Sequence, residues 1–312
     1  MTEHFIDRTF WTAALLTAAA AIAGCYSSPE ARNSGPETNY ASNRPNADRT
    51  PLKANSNMSN ENKKPEDKTG FAAHLPDGFA QPKDSVEKTL LREYGAMFVA
   101  QGVTVPTKIV FKDEAEVAAF QSTLRTASET IGGFKTELQT AAMDELRKAM
   151  ADAKAQGLSI TPRGDDSARR SYNETVSLWK SRVDPALKHW VANGKMTQAE
   201  ADRIAGLSTY EQVEEVLKLE EKGIYFAKDL SKSIIYSVAP PGTSQHLSML
   251  ALDVSENNND DVRAILARHK WFQTVVSDLP HFTYLGVDEK DLPSLGLKKT
   301  SSGGRTFWVP DI

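Results

Sequence analysis

Two stretches of this chain hold residues that could do chemistry together. The first, "GTSQHLSMLALDV" (Gly242–Val254), carries His246 and, seven residues later, Asp253; the second, "SDLPHFTYLG", carries Asp278 and, three residues later, His281. In "MLALDV" alternate side chains of an extended strand face opposite sides, so Asp253 shares a face with Ala251 while Leu250 and Leu252 share the other. A carboxylate among apolar neighbours needs a cation, a metal or several donors, because an isolated buried charge costs several kcal/mol or takes up a proton. A metal shared with His246 is one answer. His281 completes a set of three protein ligands, the number that catalytic zinc uses while keeping a fourth position open for water. Asp278, held near His281 by the short "DLPH" turn, is then placed to act as the general base toward that water.

The elements that must position these residues are helical first and sheet-like later. "DSVEKTLLREYGAMFVAQG" predicts a helix capped by Asp84 or Ser85, and "TKIVF" predicts a strand. "DEAEVAAFQSTLRTASETI" and, after Gly132 and Gly133, "FKTELQTAAMDELRKAMADAKAQG" predict two helices, followed by a strand in "LSITP". A helix with Pro185 inside it and two shorter ones then lead to "SIIYSV", "LALDV", "FQTVV" and "FTYLGV". These four β-branched and aromatic runs read as strands, with the helix "DDVRAILARHK" between the second and third. This order predicts an α+β domain with a small antiparallel sheet carrying the site and a helical insertion before it.

The two blocks, with "ARRSYNETVSLW" upstream, resemble the D-alanyl-D-alanine carboxypeptidase family of zinc peptidases over about Leu158 to Gly286. The family pattern is S-x-H, then A-x-D, then an acidic residue three before a histidine. The resemblance implies that His246, Asp253 and His281 bind Zn2+, that Asp278 is the catalytic base, and that Ser244 and Arg170 bind substrate. Arg170 would grip a substrate carboxylate, with Arg163 and Arg169 as competitors. It implies hydrolysis of peptidoglycan stem peptides, with removal of a terminal D-alanine leading. Two positions depart from the pattern: Met249 stands where many members have glycine, and Asp278 where glutamate is common. "D-x-P-H-F" is nearer to the L-alanyl-D-glutamate endopeptidase branch, which makes that cleavage the alternative reaction. A non-catalytic wall-binding or scaffold lipoprotein of the same fold is the reading from another class.

The N-terminal third supplies an address rather than a core. "FWTAALLTAAAAIAG" has the length of a signal-peptide core and ends at "IAGC", which resembles a bacterial lipobox with Cys25 as the lipidation site. Residues 1–24 are accordingly expected to be a signal peptide. Residues 25–83, rich in Asn, Pro, Ser and charge, are expected to be a disordered tether, and 84–312 the folded peptidase-like domain. Such a chain is expected to be an exported lipoprotein on the periplasmic face of a bacterial membrane, with Tyr26 after the cysteine favouring the outer membrane. Cys25 is the only cysteine, so the domain has no disulfide, and no thiolate nucleophile or cysteine-rich zinc site. A net charge of −4 with no basic stripe gives no footprint for nucleic acid. Of the other histidines, His269 is expected to be structural at a helix end and His189 to pack or lie on the surface, while His74 and His4 fall outside the expected domain. "SLWK", "SEN" and "KTG" resemble pieces of the serine DD-peptidase signature, but in scrambled order.

Overall fold

A computed structural model describes residues 69–312 of the chain; the expected signal peptide, the expected lipobox with Cys25 and most of the expected tether lie outside the described residues. The packed body begins ahead of Asp84. A 3-10 turn over Gly70–His74 buries Phe71, and Leu75 and Phe79 follow it into the core. These apolar side chains recur every four residues in a segment whose average composition is polar, so averaging hid them. His74 therefore belongs to this body, on its exposed side.

Helix α1 (Ser85–Tyr94) is capped by the Asp84 carboxylate, which accepts from the Glu87 backbone N–H, and α2 (Glu114–Gln121) is capped in the same way by Asp113. Between them "TKIVF" forms no strand; Phe111 instead donates its N–H to the Gly242 carbonyl at 3.0 Å. The chain then departs from the expected two long helices. Thr126–Ile131 (β1) and Phe134–Gln139 (β2) form an antiparallel hairpin in which Ile131 pairs with Phe134. Only Gly132 and Gly133 lie between them, at φ +60° and +92°. Two consecutive positive-φ residues are what a two-residue hairpin turn of the right twist requires. "TASETI" and "FKTELQ" alternate in burial with period two, and that pattern outweighs the helix propensity of their Ala, Glu and Lys.

Helix α3 (Thr140–Ala155) begins where the hairpin ends, and "LSITP" after it contributes only a single bridge, Pro162 to Val254. Helix α4 (Tyr172–Ala192) opens on a capping box between Ser171 and Glu174 and runs through Pro185. Helices α5 (Gln198–Ala205) and α6 (Thr209–Glu220) complete the helical insertion. "SIIYSV" is a 3-10 turn over Ile234–Tyr236 rather than a strand. Its backbone is satisfied within the turn, with Tyr236 donating to the Ser233 carbonyl (3.0 Å) and Ser237 to the Ile234 carbonyl (2.8 Å), and by buried Glu220, which accepts from the N–H groups of Ile234 (2.7 Å) and, in the preceding segment, Phe226 (3.0 Å), and from the Ser233 hydroxyl.

The central sheet is three antiparallel strands in the order β3 (Ala251–Asp253), β5 (His281–Tyr284), β4 (Trp271–Phe272), with α7 (Asp260–Arg268) between β3 and β4 in sequence. "FQTVV" thus contributes only its first residue to a strand, next to Trp271. A last hairpin, β6 (Leu297–Ser302) and β7 (Arg305–Pro310), turns at Gly303–Gly304, and Trp308 donates its N–H to the Gln273 carbonyl at 2.9 Å. The fold is α+β. Among the described residues no helix is long and apolar enough to cross a membrane.

Candidate metal centre

The register of the central sheet brings the two sequence blocks together. Asp253 on β3 lies directly opposite His281, the first residue of β5. His246 comes from a short 3-10 turn (Gln245–Ser248) that precedes β3. That turn is reached through Gly242 at φ +82°, where a Cβ would lie 1.9 Å from the Phe111 carbonyl oxygen, so only glycine fits. The segment before α4 stitches both blocks in place: Asp253 donates its N–H to the Ser167 carbonyl (2.8 Å), Arg163 to the Asp253 carbonyl (3.1 Å), and Arg170 to the His246 carbonyl (3.4 Å).

Three ligand atoms converge. His246 Nε2 is 3.1 Å from His281 Nδ1 and 3.4 Å from Asp253 Oδ1, and His281 Nδ1 is 3.3 Å from the same oxygen. A tetrahedral zinc ion with bonds of about 2.0–2.1 Å sets its ligand atoms about 3.3 Å apart. The donor set fits in chemistry as well as size. His246 Nδ1 lies 2.8 Å from the Ala168 carbonyl, which can only accept, so the ring proton sits on Nδ1 and Nε2 presents a lone pair. His281 Nε2 lies 2.9 Å from Gln245 Oε1. The Gln245 amide is oriented by its own donation to the Tyr94 carbonyl at 2.8 Å, which leaves Oε1 as the acceptor and His281 Nδ1 as a second lone pair. In these tautomers two lone pairs and a carboxylate face one another without a proton between them, an arrangement that a cation resolves. Neither Gln245 nor the Ala168 carbonyl was among the expected site groups, although Gln245 sits beside His246 in the motif.

Electrostatics keep the set in its ligating form. Burial, then the nearby Arg170 guanidinium, pushes the His246 imidazolium down to a pKa of about 4, so the ring is neutral near pH 7. Burial acts against the charge of Asp253, but in the acid range, where the two imidazoles take up protons, their charge and hydrogen bonds prevail and hold its carboxyl well below the usual range. Its second oxygen accepts from Arg170 Nη2 at 2.8 Å, and Arg170 Nε donates to the Asp166 carbonyl at 2.7 Å. Arg170 is thus engaged with the Asp253 carboxylate. Arg169 turns elsewhere, to Gln121 and Glu137, while Arg163 lines the cleft.

Asp278 is in the same cleft, at its solvent-facing edge. The turn expected from the sequence is present: its carbonyl accepts from the His281 N–H at 3.2 Å. Loss of hydration pushes its carboxyl up, reinforced by the Asp253 charge and opposed by His281, Arg170 and Arg163. The carboxylate has no hydrogen bond or ion pair among the described residues, leaving it free to handle a proton. Ser244 is buried against the cleft and its hydroxyl has no partner among the described residues. The cleft is also lined from α4, through Arg182, and by residues 235–239.

Met249 packs under the site at φ +53°, in the left-handed region. The backbone conformation that glycine adopts freely is therefore kept here with a buried methionine. His269 bridges Glu145 (3.2 Å) and Asp152 (3.0 Å) on α3, a structural contact, and His189 stacks edge-on against Trp190.

Residues 135–287 match the family model described as VanY: D-alanyl-D-alanine carboxypeptidase, a stretch that contains His246, Asp253, His281, Asp278 and the three arginines of the cleft, Arg163, Arg170 and Arg182. Two solved structures are similar. One is VanYB in complex with D-alanine-D-alanine, at 17% identity and a TM-score of 0.32, covering 55% of this chain and 83% of that one. The other is a mutant of the vancomycin resistance D,D-pentapeptidase VanY from a VanB-type resistance cassette in complex with Zn(II), at 17% identity and a TM-score of 0.31, covering 53% of this chain and 82% of that one. No curated protein matches. The two histidines and the aspartate that converge lie inside the stretch, residues 135–287, that is VanY-like by its match to the D-alanyl-D-alanine carboxypeptidase family model.

Proposed function

We propose that the protein is a zinc-dependent metallopeptidase of peptidoglycan stem peptides that removes a terminal D-alanine. The observation that carries this reading is the triangle of His246 Nε2, Asp253 Oδ1 and His281 Nδ1, 3.1–3.4 Å on each side, with an unpaired carboxylate, Asp278, in the same cleft. His246, Asp253 and His281 would hold the ion. When bound, zinc supplies Lewis-acid polarisation of the scissile carbonyl and acidifies the attacking water. Asp278 takes the proton from that water and returns it to the leaving amine; a carboxyl whose affinity for the proton is raised by desolvation suits both transfers. The Ser244 hydroxyl is available to hydrogen-bond the peptide. Arg170 keeps Asp253 ionised and oriented.

The "D-x-P-H-F" block makes cleavage between L-alanine and D-glutamate the alternative reaction of this site. The "IAGC" motif supports attachment through a lipid on Cys25, with the catalytic domain outside the cytoplasmic membrane. Incubation of the zinc-loaded protein with a stem pentapeptide tests the first reading by release of D-alanine, which Asp278→Asn abolishes. Release of L-alanine from the amino end instead identifies the endopeptidase. Zinc binding with no hydrolysis of either bond identifies a wall-binding scaffold.

A further inference from the structure

Three arginines line the cleft, and their surroundings differ. Arg170 is neutralised by Asp253 at 2.8 Å and, more distantly, by Asp166 at 3.6 Å. Arg163 is exposed, where solvent and salt screen its charge. Arg182, on α4, is half-buried and held by neutral groups only: its Nε donates to the Ser237 hydroxyl at 3.1 Å and its Nη1 to the Ser181 hydroxyl at 2.8 Å. Among the described residues no carboxylate pairs with it. A partly desolvated guanidinium, fixed by two hydroxyls and lacking a counter-ion, is an anion site waiting for its ligand. Ser237 belongs to the wall formed by residues 235–239, and Arg182 lines from α4 the same cleft as Ser244, His246 and Asp253.

We propose that Arg182, rather than Arg170, binds the carboxylate of the substrate, and that Arg170 is a positioning residue for Asp253. The inference rests on the peptidase reading and names the residue that selects the free carboxylate of the leaving residue. It also gives the helical insertion a task, since α4 brings this cation to a site whose metal ligands come from elsewhere.

The test compares two synthetic stem peptides that differ only in a C-terminal carboxylate or carboxamide. Their binding to the zinc-loaded full chain carrying Asp278→Asn is measured by calorimetry, and their hydrolysis by the parent. The acid is expected to bind about 10–100-fold more tightly than the amide, the value of a charge-assisted hydrogen bond. Adding Arg182→Met removes that preference without changing amide binding, and Arg182→Lys restores part of it. Ser237→Ala, which loosens the wall but keeps the charge, retains the preference. A preference that survives Arg182→Met and disappears in Arg170→Met overturns the assignment. Failure of the parent to hydrolyse either peptide counts against the peptidase reading, while the binding comparison still decides the role of Arg182.

Discussion

Replacing Gln245 with leucine tests the lone-pair reading of the centre more directly than replacing a ligand does. Gln245 touches no ligand atom; it accepts the His281 Nε2–H at 2.9 Å and so leaves Nδ1 bare, 3.1 Å from His246 Nε2 and 3.3 Å from Asp253 Oδ1. Without that acceptor the ring has two poor choices. Keeping the proton on Nε2 strands a donor in a buried setting, at about 1–3 kcal/mol. Moving it to Nδ1 points the proton at Asp253 Oδ1 and occupies the position that an ion needs. Either cost falls on the zinc-bound state, so affinity drops by about 10–100-fold, the range that loss of an outer-shell partner gives. Gln245 also donates to the Tyr94 carbonyl at 2.8 Å, so the leucine variant loses some fold stability as well. Gln245→Glu separates the two effects: it sacrifices the donation to Tyr94 but keeps an acceptor for His281, and is expected to retain zinc affinity. The assays are a chelator-competition titration of the full chain and long-range 1H–15N correlation of the histidine rings without metal. Those spectra should show Nδ1–H on His246 and Nε2–H on His281 in the parent. Unchanged zinc affinity in Gln245→Leu, with His281 still protonated on Nε2, would refute the argument that this hydrogen bond sets the ligand.

Asp278→Asn should lower kcat by about 10²–10⁴-fold with zinc content unchanged, the contribution of a general base. Because desolvation raises the Asp278 carboxyl, its ionised form is lost at a higher pH than for an ordinary aspartate, so the acid limb of kcat should lie above about 3.9; an acid limb at or below that value contradicts the assignment. Met249→Gly should destabilise rather than stabilise. Relief of the left-handed backbone is worth about 1–2 kcal/mol, whereas emptying a buried methionine site costs about 2–5 kcal/mol, and chemical denaturation reads the sign. Glu220→Ala should cost about 2–5 kcal/mol by stranding the Phe226 and Ile234 N–H groups, and should speed hydrogen exchange in residues 226–237; unchanged exchange there would show that Glu220 does not hold the cleft wall.

What the sequence discloses and what it conceals divide along a physical line. The convergence of His246, Asp253 and His281 was legible because each is a costly residue in its setting: a carboxylate on a strand that faces the core and imidazoles beside apolar runs demand a common explanation, and the β3–β5 register sets Asp253 against His281. The small sheet was legible for the same reason, from its β-branched and aromatic runs. Local propensity misled where tertiary pairing decided the outcome. "TASETI" and "FKTELQ" contain good helix formers, yet Gly132 and Gly133 between them were the stronger signal, since two left-handed residues in succession end a helix and suit a two-residue hairpin. "SIIYSV" has strand composition but finds no partner strand; Glu220, fourteen residues before Ile234, helps to satisfy its backbone from a side chain, and no periodicity encodes such a contact. Arg182 was hidden more deeply still. An arginine on an amphipathic helix ordinarily reads as a solvated charge, and its significance depends on which carboxylates its neighbours have already claimed. That Asp253 pairs with Arg170 and leaves Arg182 with hydroxyls alone is a fact of three dimensions. On the proposed reading it shifts substrate recognition from Arg170 of the motif to Arg182, about three turns into α4.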